Sequence, residues 1–468
     1  MQIATKDRTA VSMVKEALDK AKRCKNYNIF VSLNEEAAMN RAREIDEKIA
    51  RGEDAGRLAG VPYALKDNFL SKEGATTASS KILEPFKSPI TSTTVKKLED
   101  EGAIMIGRTN MDSFAHGSST ENSYFGPTLN AYDETRVAGG SSGGSAVAVA
   151  KGIVQFATGT DTGGSIRQPA SFNGVFGFKP TYGTISRYGV VAMASSTDCI
   201  GFFANSASDI DLLMSICSGQ DPYDMTTLPD FYGGEATGPV ATRIGIIKDF
   251  DLDKIDKNIK KAFDDKIAEL KESGYEIVEL DMPALKYALA VYYIVVPAEI
   301  SSNLSRHDGV RYGYRSKDAK SLEEVYSFSR NLGFMPENKR RIMIGNFVLS
   351  SGFYDAYYLK AQKARTLIIK EYENAFKKCD FILTPVSPNP AFKLGEKVND
   401  PISMYLEDVM SVPLNLAGVP GLTIPVGRTE PTDTAKEGLP IGLQIVGPRR
   451  SDKALLDFAS KITKREGK

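Results

Sequence analysis

The chain has 468 residues with 59 Lys and Arg against 59 Asp and Glu, two His, four Cys and no Trp. A zero net charge offers no broad basic field for nucleic-acid phosphates or an anionic membrane, so any nucleic acid must be held by a partner. Two histidines, His116 and His307, exclude a His-rich metal site and leave little for His-based acid/base chemistry.

Cys24, Cys199, Cys217 and Cys379 are scattered without C-x-x-C spacing, which predicts neither a zinc site nor a disulfide framework and fits a reducing, cytoplasmic setting. Residues 1–22 mix acidic with basic side chains and lack an apolar segment, unlike a signal or transit peptide. The longest apolar run, 287–296, falls short of the ~18 residues of a membrane span.

Helix and strand signals alternate along the chain. Asn34 as a cap, apolar Ala38, Ala42, Ile45 and Ile49 at helical spacing, and Gly52 as the stop predict a helix over 34–50, with a strand over 61–65 after it. A second helix over 94–101 closes at Gly102 and leads into a strand over 103–106. Further on, the strand 243–247, a helix with Ile255, Ile259, Phe263, Ile267 and Leu270 on one face, and the strand 275–280 form a βαβ-like unit. Residues 282–369 are mostly helical and aromatic, and Phe353, Tyr354, Tyr357 and Tyr358 read as core packing. Strands over 421–426 and 440–446, split by a polar loop, complete an α/β chain without repeats or long linkers. One large domain is expected.

Two Gly/Ser clusters, 139–145 and 161–167, stand beside apolar segments, so they are not interdomain linkers. No Lys follows the glycines as a P-loop requires. Residues 139–143 satisfy the G-x-S-x-G nucleophile elbow, but polar, turn-like sequence precedes them and His307 would have to serve as the base. A serine nucleophile without His needs another base, and a buried neutral lysine is the physical alternative. Lys66, at the end of the strand that starts near Gly60, could fill that role, although beside Asp67 it reads equally as an ion pair.

Taken together, 60–68 (GVPYALKDN), 139–145 (GGSSGGS) and 161–169 (DTGGSIRQP) resemble the amidase signature family. The resemblance implies a single α/β domain over 1–468, a mixed central β-sheet covered by helices on both faces, with a signature core over about 60–205. It implies a Ser-Ser-Lys triad of Lys66, Ser141 and Ser165, with Ser141 after a cis peptide. Backbone N–H groups of Thr162, Gly163, Gly164 and Ser165 would form the oxyanion hole, supported by Ser142, Asp161 and Arg167.

Residues 111–127, 339–363 and 400–420 are similar to one branch of that family, the A subunits of glutamyl-tRNA(Gln)/aspartyl-tRNA(Asn) amidotransferases. For this branch the implied reaction is hydrolysis of glutamine, with ammonia passed to a partner. Arg341 and Asp408, in a mostly helical region over about 282–410, would hold the glutamine's α-carboxylate and α-amino groups, with Arg340 a rival for the Arg role. Implied partners are a B-type tRNA-binding subunit, which uses ATP and Mg2+, and a small C-type subunit; this chain itself would need no cofactor or metal. The bacterial pattern of the branch has Glu and Met where this chain has Ser113 and His116, and His116 reads as a structural or supporting residue. A stand-alone amidase acting on a small amide would share the triad.

Overall fold

The computed structural model describes residues 1–229, 232, 241–248 and 255–463. Eleven strands form one sheet: β1 (Phe30–Leu33), β2 (Pro62–Lys66), β3 (Ile104–Thr109), β4 (Phe156–Asp161), β5 (Phe176–Lys179), β6 (Cys199–Ala204), β7 (Arg243–Ile247), β8 (Glu276–Leu280), β9 (Phe381–Pro385), β10 (Gly421–Arg428) and β11 (Pro440–Val446). Their order is β1-β3-β2-β4-β6-β5-β10-β11-β9-β7-β8. β2 runs parallel to β3 and β4, and β7 runs parallel to β8 and β9, while the remaining pairs are antiparallel. The sheet is therefore mixed, and the expected βαβ unit is the parallel pair β7 and β8 joined through the helix Lys257–Glu272.

Alternation within single strands shows that both faces are covered. Tyr63 and Leu65 enter one apolar cluster and Ala64 another; Phe202 and Phe203 divide in the same way, as do Phe381 and Ile382. Helices Ala207–Cys217, Lys257–Glu272 and Asp452–Thr463 supply Leu213, Phe263 and Leu455 to the first face. On the other face, Ala10–Arg23, Glu35–Arg51 and Gly143–Ala150 pack near β2 and β4, and Ala288–Asn303 and Lys360–Ala375 pack near β9. Of the strands buried on both sides, β2, β3 and β11 read in the sequence as nearly continuous apolar runs, whereas β4, β5, β6 and β9 carry no strand assignment there. Each buried Phe or Leu contributes about 1.5–3 kcal/mol.

Several local expectations need correction. The helix Glu35–Arg51 ends at Gly52 in the left-handed conformation, but the Asn34 side chain makes no capping bond. The second helix, Thr93–Asp100, is capped by Ser92, whose Oγ accepts from Val95 N. The aromatic stretch 353–358 is not core. Phe353, Tyr354 and Tyr357 are 39%, 40% and 42% exposed, because the helix Lys360–Ala375 buries Ala361, Ile368 and Tyr372 and leaves the π-helical turn Tyr354–Leu359 outside. The segment Pro283–Arg306 is long and apolar enough to cross a membrane by composition, yet 61% of its apolar window is buried within the protein.

Candidate active site

Lys66 ends β2, which runs parallel to β3 and β4, so the carboxyl ends of the three strands lie along the same edge of the sheet. Its backbone N–H donates to Thr158 Oγ1, and its Nζ lies 2.9 Å from Ser141 Oγ, 2.7 Å from Ser142 Oγ and 2.8 Å from Thr160 Oγ1. Every partner of the Nζ is a neutral oxygen. Asp67 pairs instead with Arg108 at 3.7 Å and accepts from Thr77 and Ser79, so the ion pair open to Lys66 in the sequence does not form. Complete burial lowers the Lys66 ammonium from its ordinary 10.5 to about 7, partly opposed by the charges of Asp112, Asp161 and Asp198.

Ser141 follows a cis peptide at Gly140. Gly140 is required for space, since a Cβ there would meet Asp112 Oδ2 at 2.1 Å and Ser119 N at 2.7 Å. Its N–H donates to Gln168 Oε1, Ser141 O accepts from Asp112 N, and Ser142 N donates to Ser165 O at 3.2 Å. The loop bearing Ser141 is thus tied to the turn bearing Ser165. No strand directly precedes it among the described residues, only the isolated bridges of Val137 with Leu129 and of Arg136 with Lys393, which removes the context of a hydrolase elbow. His307 is buried beside Phe114 and Tyr312, with burial lowering it to about 3.

The second cluster is organised by Asp161 at the end of β4. Its carboxylate accepts from Gly164 N (2.8 Å) and Ile166 N (3.1 Å) and pairs with Arg167 through Nε (3.1 Å) and Nη2 (3.0 Å). Burial alone would raise this carboxyl, but Arg167 outweighs it and holds the group at about 2. Arg167 in turn donates to Ser411 O, Gln444 Oε1 and Asn415 Oδ1, so all its charge is spent inside the protein. Ser165 remains 8% exposed.

One expected oxyanion donor is displaced. Gly164 N–H is occupied by Asp161, whereas no hydrogen bond among the described residues engages the N–H of Gly163 or Ser165. Thr162 Oγ1 donates to Asp198 Oδ1 at 2.6 Å. Gly163 is closed in by Tyr292, whose Oη lies 2.5 Å from where a Cβ would stand, and its carbonyl accepts from Ser411 Oγ.

Arg341 and Asp408 meet around Tyr293. Asp408 accepts from Ser118 Oγ (2.7 Å) and Tyr293 Oη (2.9 Å), and burial raises it to about 6. Tyr293 stacks on Tyr405 at 3.9 Å, and the buried Arg341 guanidinium lies over both rings at 5.3 and 5.6 Å, its Nε donating to Glu337. Arg340 also pairs with Glu337, but its side chain is 42% exposed against 4% for Arg341. The two clusters adjoin: consecutive Tyr292 and Tyr293 touch Gly163 and Asp408, and Ser411, one turn beyond Asp408, bonds to Gly163.

Sequence reasoning had not singled out Asp112, Ser118, Thr160, Tyr292, Tyr293 or Ser411. Ser118 and Ser411 lie inside stretches that carried the resemblance, while the tyrosines sit in an apolar run with the pattern of core. Among the described residues no group of His, Cys, Asp and Glu could hold a metal.

The chain matches the amidase family over residues 12–456. It belongs to that family. Curated relatives from Carboxydothermus hydrogenoformans and Persephonella marina, each the A subunit of a glutamyl-tRNA(Gln) amidotransferase, are 48% identical over 98% of this chain and 94% of that protein, and 49% identical over 92% and 88%. The crystal structure of the A subunit of the Thermotoga maritima glutamyl-tRNA(Gln) amidotransferase superposes with a TM-score of 0.79 at 35% identity, covering 99% of this chain and 95% of that one. A peptide amidase from Stenotrophomonas maltophilia shares the amidase fold with a TM-score of 0.78 at 26% identity, covering 98% and 93%. The fold is common to several amidases, so the high identity separates the branches.

Proposed function

We propose that this chain is the glutamine-hydrolysing A subunit of a tRNA-dependent amidotransferase. The observation that carries the chemistry is Lys66: fully buried and bound only by neutral oxygens, with burial lowering its ammonium to about 7. As a free amine it takes a proton from Ser141, which takes one from Ser165 as Ser165 Oγ bonds to the amide carbon of glutamine. Negative charge on the carbonyl oxygen is met by the N–H groups of Gly163 and Ser165, with Thr162 bordering them; one such donor is worth about 2.7–4 kcal/mol. The C–N bond then breaks, the proton returns through Ser141 to the leaving nitrogen, and ammonia departs. Water attacks the acyl-serine by the same relay, releasing glutamate. Ser142 holds the Lys66 amine, and Asp161 with Arg167 shapes the turn that presents Ser165.

Arg341 faces the α-carboxylate and Asp408, steadied by Ser118 and Tyr293, the α-ammonium. The burial of Arg341 and exposure of Arg340 support Arg341 in that role. Ammonia passes to a B-type subunit that activates Glu-tRNA(Gln), or Asp-tRNA(Asn), with ATP and Mg2+, in a complex with a small C-type subunit in the cytoplasm. This chain needs no cofactor of its own and holds no tRNA. The exposed apolar surface of Met343, Phe347, Phe353 and Tyr357, with Phe347 and Phe353 rings 4.3 Å apart, supports assembly with those subunits.

The test is ammonia release from glutamine by the chain co-expressed with those subunits, with and without mischarged Glu-tRNA(Gln) and ATP. Amidated tRNA formed at the expense of glutamine is expected. Hydrolysis of simple amides with no tRNA-dependent product would assign a stand-alone amidase instead.

A further inference from the structure

The loop 112–120 contacts both halves of the site. At one end Asp112 N donates to Ser141 O, Asp112 Oδ2 accepts from Thr120 N, and Thr120 Oγ1 donates to Gly139 O while accepting from Gly143 N, so the loop grips the chain on both sides of Ser141. In its middle, Ser118 donates to Asp408. Ser113 and His116 both meet Asn338, which lies one turn before Arg341 on the helix Pro336–Leu349.

The Asn338 carboxamide is saturated by these contacts. Its Oδ1 accepts from Ser113 Oγ (2.9 Å) and Met335 N (3.0 Å), and its Nδ2 reaches Ser113 O (2.8 Å) and His116 Nδ1 (2.8 Å). This pattern makes Nδ1 the acceptor and places the imidazole proton on Nε2, which has no partner among the described residues. Burial, reinforced by the charge of Arg341, holds His116 well below its ordinary value, so the ring is neutral and adds no charge beside the guanidinium. Ser113 and His116 thus converge on this one carboxamide.

We propose that His116 and Asn338 are positioning residues that lock the helix of Arg341 onto the loop gripping Ser141, and so set the span between the glutamine carboxylate and the nucleophile. The inference rests on the reading of Arg341 as the carboxylate's partner. Displacing the guanidinium weakens a charge-assisted contact to the carboxylate that is made equally in the bound and transition states, so its loss is read in KM.

The experiment measures kcat and KM for glutamine in the full chain, co-expressed with its partner subunits, for His116→Met, His116→Asn, Asn338→Ala and Arg341→Ala. His116→Met removes the acceptor, and KM is expected to rise about tenfold with kcat within about twofold. His116→Asn puts Oδ1 where Nδ1 stood and should restore KM to within about threefold of the unmodified chain. If Asn338→Ala does not fold, the His116 pair decides alone. An unchanged KM in His116→Met, a fall in kcat as large as the rise in KM, or no rescue by Asn would overturn the proposal. An unchanged KM in Arg341→Ala would remove its basis, and it is read independently of the His116 variants.

Discussion

The lysine at the centre of the site fixes how activity and stability respond to pH. Moving the Lys66 ammonium from 10.5 to about 7 corresponds to about 5 kcal/mol. Because the free amine is the active form, kcat should fall about tenfold per pH unit below about pH 6 and level off above about pH 8. Asp408, raised to about 6, acts on binding, so protonating it should appear in KM. The same displacement bears on folding. Between about pH 7 and 10.5 the unfolded chain holds a proton on Lys66 that the folded chain does not, so stability rises with pH across that window. Below it both states hold the proton and the folded protein carries the whole cost. Lys66→Met should therefore stabilise by up to about 5 kcal/mol at pH 6 and only about 2 kcal/mol at pH 9, read by urea unfolding. A kcat profile flat from pH 6 to 9, a midpoint near pH 10, or a Lys66→Met effect independent of pH would refute the reasoning.

Further substitutions probe the parts separately. Arg341→Ala removes a buried charged contact and should raise KM for glutamine about 10²-fold, whereas exposed Arg340→Ala should change it less than twofold in the same steady-state assay. Asp161→Ala leaves the buried Arg167 guanidinium without its carboxylate and should destabilise by about 3–5 kcal/mol, seen as a lower Tm. Gly163→Ala drives a methyl into Tyr292 with its nearest atom at 2.5 Å, so ammonia release should drop about 10²-fold or more while circular dichroism stays native-like.

What the sequence disclosed depended on how local each signal was. Lys66, Ser141 and Ser165 are reached through the resemblance of their three motifs to the amidase signature family; taken alone, Lys66 reads equally as an ion pair with Asp67, while the glycines beside Ser141 answer to close backbone approach, as at Gly140 beside Asp112. The strands β7 and β11 were found to the residue because their runs are almost wholly apolar, with Arg243 at one end of β7 and a single buried Gln444 inside β11. Tyr292 and Tyr293 were hidden in an apolar run, where a site-lining ring and a core ring have the same spacing. The exposure of Phe353 and Tyr357 was invisible for the same reason, since apolar residues at a surface look like core until the neighbouring helix is placed. The occupation of Gly164 N–H depends on a three-dimensional turn closing on Asp161, which no linear pattern specifies.

The role of Ser165 as the nucleophile is tested most directly by one measurement, ammonia released from glutamine by the co-expressed complex with Ser165 intact and with Ser165→Ala. That role predicts a loss of at least about 10³-fold with the assembly and melting behaviour unchanged. Undiminished release from Ser165→Ala would contradict it.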